Sequence, residues 1–110
     1  MSKNYKLVVF VPLTHADAVR EALGNAGAGH ISAYSNCSFS SRGIGRFQGD
    51  ETTNPFIGKA GELEAVEEER IEVIVAKDKM KGVIAAMTAA HPYEEIAYDI
   101  YALVDREEFL

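Results

Sequence analysis

The segment His91-Pro92-Tyr93-Glu94-Glu95-Ile96-Ala97-Tyr98-Asp99 joins a helical pattern to an extended one, and its reading decides how the chain ends. Pro92 lacks a backbone donor and disfavours helical φ/ψ in the residue before it. The helix ahead of it therefore stops at His91 and the chain continues extended. Residues 96–103 are rich in Ile and Tyr and read as a last strand. One imidazole, one phenol and two carboxylates are thus gathered at an element boundary, where functional groups concentrate.

Working outward, residues 78–90 carry Met80, Val83, Ile84, Met87 and Ala90 at helical spacing, with Asp78 placed as an N-cap. Before this helix, Ile71, Val73 and Val75 alternate with Ile74 and Ala76, a strand that opens on the acidic run Glu67-Glu68-Glu69. At the other end, residues 5–12 form a first strand. Leu7, Val9 and Val11 face one way, and Val8 and Phe10 the other, so both faces expect burial. Residues 14–26 read as a helix with Thr14 as N-cap, an apolar stripe of Ala16, Val19, Ala22, Leu23 and Ala26, and Gly27 or Gly29 as terminator.

Between these halves, residues 27–61 are rich in Gly and Ser. Residues 31–40 predict a strand with Ser35, Cys37 and Phe39 on one face. Gly43-Ile44-Gly45-Arg46-Phe47 predicts a tight turn returning as a short hairpin arm, and residues 50–61 a loop. A long irregular stretch inside a compact domain is usually functional or interfacial.

The order is strand, helix, strand or hairpin, strand, helix, strand. That is the ferredoxin-like βαββαβ pattern of an α+β domain. Two helices cover one face of a four-stranded sheet, so the doubly apolar strands call for the arm or a second subunit on the other face.

Composition bounds the function. The 110 residues, 47% apolar and 25% charged, suit one globular domain. A net charge of −6 argues against DNA as a partner. The run Leu7-Val8-Val9-Phe10-Val11 is too short to span a bilayer, so no membrane is expected. A single cysteine forms no internal disulfide, and a reducing cytoplasm is the simplest compartment.

Six motifs occur in order: Gly27-Ala28-Gly29-His30-Ile31, Tyr34-Ser35-Asn36-Cys37-Ser38-Phe39, Gly43-Ile44-Gly45-Arg46-Phe47, Asn54-Pro55-Phe56-Ile57-Gly58, Glu67-Glu68-Glu69-Arg70-Ile71-Glu72 and the 91–99 segment. Together they resemble the CutA/PII-like domain inserted in many bacterial Nif-three proteins, the NGG-interacting-factor family. The resemblance covers nearly the whole chain. His91-Pro92-Tyr93-Glu94 is also similar to a run in the CutA divalent-cation-tolerance proteins. The resemblance implies a single CutA/PII-like domain over residues 1–110 and, by similarity to CutA and PII, homotrimers. The full-length proteins hold a dinuclear metal centre in their surrounding domains. That centre is expected to be absent here, and no hydrolase activity carries over from it. The resemblance implies a regulatory or unknown role for the inserted domain.

Two sets of side chains are candidates for chemistry. His91, Tyr93 and Glu94, with Arg46 from the glycine-rich arm, form a candidate ligand-binding set. The plainer reading is that His91 caps the helix end and that Glu94 or Glu95 pairs with a neighbouring subunit. His30, Cys37 and Glu68 form a candidate metal set. A thiolate with an imidazole favours zinc over magnesium, while the plainer reading makes Cys37 a small buried strand residue. Gly43-Ile44-Gly45-Arg46 lacks the third glycine and the strand-to-helix context of a dinucleotide fingerprint. The leading expectation is a non-enzymatic, homo-oligomeric domain binding a small ligand or a divalent metal. A structural or protein-interaction module stands second, and a thiol-dependent enzyme using Cys37 third.

Overall fold

The computed structural model describes residues 3–110. Four antiparallel strands, β1 (Asn4–Pro12), β2 (Phe39–Phe47), β3 (Glu64–Ala76) and β4 (Tyr98–Ala102), form one sheet in the order β2-β3-β1-β4. Helices α1 (Leu13–Asn25) and α2 (Met80–Ala90) pack on one face. This is the α+β ferredoxin-like arrangement that the order of elements predicts.

Alternation explains the core. Leu7, Val9 and Val11 of β1 sit opposite Val73, Ile71 and Glu69 of β3, and the apolar members of both strands point to the helices. Val19 and Leu23 of α1 and Val83 and Met87 of α2 close over them, all fully buried. Burying each such side chain contributes about 1.5–3 kcal/mol. The opposite face carries Lys6, Val8, Phe10, Arg70, Glu72 and Ile74. Val8 is fully buried there, whereas Phe39 of β2 and Tyr101 of β4 are exposed. Lys6 and Arg70 both reach Glu72, at 3.7 and 3.3 Å, and Arg70 lies over the Phe10 ring. The arm does not cover this face. It extends the sheet instead.

Several local expectations differ from the structure. Gly43, Ile44 and Gly45 make no turn: they lie mid-strand opposite Glu68, Glu67 and Val66. The reversal falls in residues 48–63, so β2 and the first half of β3 form one long hairpin. Residues 31–38 are irregular apart from an Ile31–Tyr34 bridge, and the strand begins at Phe39. Glu67-Glu68-Glu69 is the middle of β3 rather than a solvated end, and Glu68 is only 7% exposed.

Thr14 does not cap α1. The helix starts directly after Pro12, and the Thr14 hydroxyl meets His15 Nδ1 at 2.8 Å. Asp78 makes no cap either, because a short 3-10 turn over Lys77–Lys79 precedes α2. Gly27 does terminate α1. Its φ of 104° lets its N–H reach Gly24 O while the Ala28 N–H reaches Leu23 O. This double bond pattern satisfies the last carbonyls and seats Ala28 against the core.

Candidate functional site

The far end of the β2–β3 hairpin, the segment after α2 and the 48–63 loop enclose a cavity of about 310 Å³. Phe47, Phe56 and Tyr93 supply aromatic walls, and Glu68, Glu94 and Arg46 supply charge. Each side chain arrives there for a local reason. His91 is extended, as Pro92 requires, and its N–H still closes the last turn of α2 on Met87 O. The His91 ring then bridges to β1: Nε2 lies 2.7 Å from Phe10 O, and Nδ1 lies 3.2 Å from the Tyr93 N.

These two contacts set the His91 tautomer. Tyr93 N–H donates to Nδ1, so Nε2 carries the proton and donates to the Phe10 carbonyl. Burial pushes the His91 pKa below its usual value, opposed by the Phe10 carbonyl and the Glu68 charge and assisted by His15. The imidazole is therefore neutral and engaged at both nitrogens, leaving no lone pair for a metal. Its ring stands 4.9 Å from that of Tyr93.

Tyr93 reaches back across the sheet end. Its hydroxyl donates to Glu68 Oε2 at 2.9 Å, and its ring faces Phe47 with centroids 5.9 Å apart. Burial first, and then the bond to Glu68, push the Tyr93 pKa well above the usual phenol range. The phenol stays a donor at any physiological pH.

The 48–63 loop is tied down at three points. Gly61 N–H donates to Gly49 O, and Gln48 Nε2 to Gly61 O, closing its base. Asn54 N–H donates to Glu94 Oε1 at 2.8 Å. Phe56 meets His15 of α1 edge-on, with ring centroids 5.4 Å apart. Asp50 accepts from both Thr52 N and Oγ1, and these bonds lower its pKa.

The structure regroups the residues singled out from the sequence. Arg46, Tyr93 and Glu94 do line one cavity, with His91 behind Tyr93 as the residue that positions it. Glu68 joins this group, not His30 and Cys37. Those two lie against the other end of the hairpin, where Gly29 N–H bonds Ile74 O. Six residues of strand separate Ile74 from Glu68, about 20 Å. The donor set His30, Cys37 and Glu68 therefore does not converge within one chain. Among the described residues no three His, Cys, Asp or Glu side chains gather as a metal site. The Cys37 thiol donates to the Ser35 carbonyl at 3.9 Å. Glu94 Oε1 accepts from the Asn54 N–H of its own chain.

Phe47 and Phe56 are wall residues absent from both candidate sets, and Gly45, read from the sequence as part of a turn, lines the wall from mid-strand. The apolar Asn54-Pro55-Phe56-Ile57 run inside a polar loop was the available signal.

No family model matches the chain. It is 61% identical over 106 residues to a "GTP cyclohydrolase 1 type 2 homolog" of Halalkalibacterium halodurans, covering 96% of this chain and 28% of that protein. The namesake in Bacillus subtilis is 57% identical over 96 residues, covering 87% of this chain and 26% of that protein. A solved Bacillus cereus protein related to NIF3 superposes with a TM-score of 0.82 at 53% identity, covering 94% of this chain and 26% of that one. CutA from Xylella fastidiosa superposes at 0.71 with 16% identity, over 98% of this chain and 91% of that one, which speaks to fold alone. No helix among the described residues is long and apolar enough to cross a membrane.

The fold thus defines an α+β domain of the CutA/PII-like class. Within that class the chain matches a segment of NIF3-related proteins, spanning about a quarter of the length of the curated relatives it matches.

Proposed function

We propose that this chain is a non-enzymatic binding domain that takes a small organic molecule in the Phe47–Glu68–Tyr93 cavity and serves a regulatory role through a homo-oligomer. The observation that carries the reading is the Tyr93–Glu68 hydrogen bond, which sets a buried carboxylate and a fixed donor at the wall of an aromatic cavity. Apolar walls with a few placed polar groups are the usual anatomy of a small-molecule site. A fragment titration followed by NMR tests it. Amide shifts should cluster at Phe47, Glu68 and Tyr93. Shifts confined to other surfaces, or none at about 1 mM fragment, would remove the reading.

Self-association is supported by the sheet face that the single chain leaves uncovered, with Phe39 68% and Tyr101 47% exposed. We favour a trimer by resemblance to CutA and PII. Sedimentation equilibrium showing only a 12.0 kDa species would refute it. The single cysteine supports a reducing compartment, the cytoplasm.

A divalent cation is the second reading, favoured because one structural neighbour is described as a divalent cation tolerance protein. Calorimetric titration of zinc into wild type and Cys37→Ser separates the two. Binding lost in Cys37→Ser would place a metal at the arm, across subunits. No binding below about 100 μM would dismiss it.

A further inference from the structure

Glu68 is 93% buried by its 7% exposure, yet its only hydrogen-bond partner among the described residues is the neutral Tyr93 hydroxyl on Oε2. Among the described residues Oε1 accepts no hydrogen bond and no cation lies within ion-pair distance of the carboxylate, and Oε1, not itself fully buried, keeps an opening toward the cavity. Arg70, the next residue on the same strand face, is turned to Glu72 and Phe10. A carboxylate mostly withdrawn from water is normally paired with a charge. The free oxygen points to where Gly45 has no side chain: a Cβ there would collide with Glu68 Oε1 and Cδ. Gly45 has no positive φ, so its requirement is space for the carboxylate.

The surroundings choose the partner's charge. Glu68, Glu94 and Glu95 line the cavity against one guanidinium, that of Arg46, and the whole chain carries −6. An anion is disfavoured. A bare metal ion finds too few donors gathered, because Glu94 Oε1 is occupied by Asn54 N–H, both His91 nitrogens are engaged, and among the described residues no three His, Cys, Asp or Glu side chains converge. Phe47, Phe56 and Tyr93 present ring surface beside Glu68, and aromatic faces attract organic cations.

Building on the cavity reading above, we propose that the ligand is an organic cation bearing N–H groups, an amine, amidine or protonated heterocycle. It donates a charge-assisted bond to Glu68 Oε1 and lays its body against Phe47, Phe56 and Tyr93. Glu68 is the anchor, Tyr93 fixes the anchor's other oxygen, and Gly45 keeps the approach open.

The test uses three probes of one shape: benzamidinium, neutral benzamide and anionic benzoate, titrated by NMR and calorimetry into the whole chain. Benzamidinium should bind at about 1 mM or tighter, and at least about tenfold more tightly than benzoate. Glu68→Gln should lower benzamidinium affinity about tenfold and remove the preference over benzamide. Gly45→Ala, which keeps Glu68 but crowds its oxygen, should weaken benzamidinium while leaving the melting cooperative. Equal binding of all three probes, or unchanged benzamidinium binding in both variants, would overturn the cation proposal and leave the cavity reading standing. Binding of none of the three would remove both. Competition by zinc or magnesium at lower concentration than benzamidinium, lost in Glu68→Gln, would replace the organic cation with a metal.

Discussion

Replacing Tyr93 with phenylalanine tests the hinge of the site. Tyr93→Phe keeps the ring, and with it the contacts to His91 at 4.9 Å and Phe47 at 5.9 Å. It removes only the hydroxyl that donates to Glu68 at 2.9 Å. A hydrogen bond to a charged group contributes about 1.5–3 kcal/mol, against about 0.5–1.5 kcal/mol for a neutral pair. Glu68 is 7% exposed, so water replaces the lost donor poorly and the upper half of the first range applies. The substitution should therefore cost about 2–3 kcal/mol near neutral pH. For a chain of this size that is a fall in Tm of about 8–12 °C. In a Glu68→Gln background the same substitution meets a neutral acceptor and should cost about 1 kcal/mol less. Urea denaturation of the four proteins measures the cycle. Protomer concentration must be held constant, since assembly contributes to apparent stability. A Tyr93→Phe cost below about 0.5 kcal/mol, or an equal cost in both backgrounds, would refute the charge-assisted bond.

Three further outcomes are expected. His91 has its pKa lowered in the folded state, so its contribution to stability is complete above about pH 6.5 and is lost as pH falls through the folded value; His91→Gln should flatten that acid limb in melts between about pH 8 and about pH 5, and an unchanged limb would contradict the buried neutral imidazole. Arg20 contacts Glu69 and Asp17 at 2.6 Å each, with Glu69 largely buried, so Arg20→Met should cost about 1–3 kcal/mol by urea titration, and a cost near zero would reduce the pair to a surface contact. Leu23→Ala, at the last turn of α1 and fully buried, should cost about 2–5 kcal/mol, whereas Leu63→Ala, exposed in the loop, should be nearly silent; comparable losses would contradict the assigned core.

The sequence by itself determined the layers. Alternation in Leu7-Val8-Val9-Phe10-Val11 and in residues 71–76, helical spacing from Ala16 to Leu23 and from Val83 to Met87, and the stop at Pro92 are local or short-period signals. They follow from strand and helix geometry without knowledge of distant neighbours. The resemblance of the six motifs added the class, and the superpositions agree. Only the tertiary structure decided the site. Glu68 was one of three adjacent glutamates, and nothing in its neighbours distinguished it from Glu67 or Glu69. The antiparallel register sends Glu69 toward Arg20 on the helix face and Glu68 to the opposite face beside Gly45, because adjacent strand residues point opposite ways. The same register turned Gly43 and Gly45 from turn residues into mid-strand space and moved the reversal to residues 48–63. It also separated His30 and Cys37 from Glu68 by the length of half a strand. Tyr93 meets Glu68 across 25 positions of sequence, a contact set by how α2 delivers His91 onto β1 rather than by any local spacing.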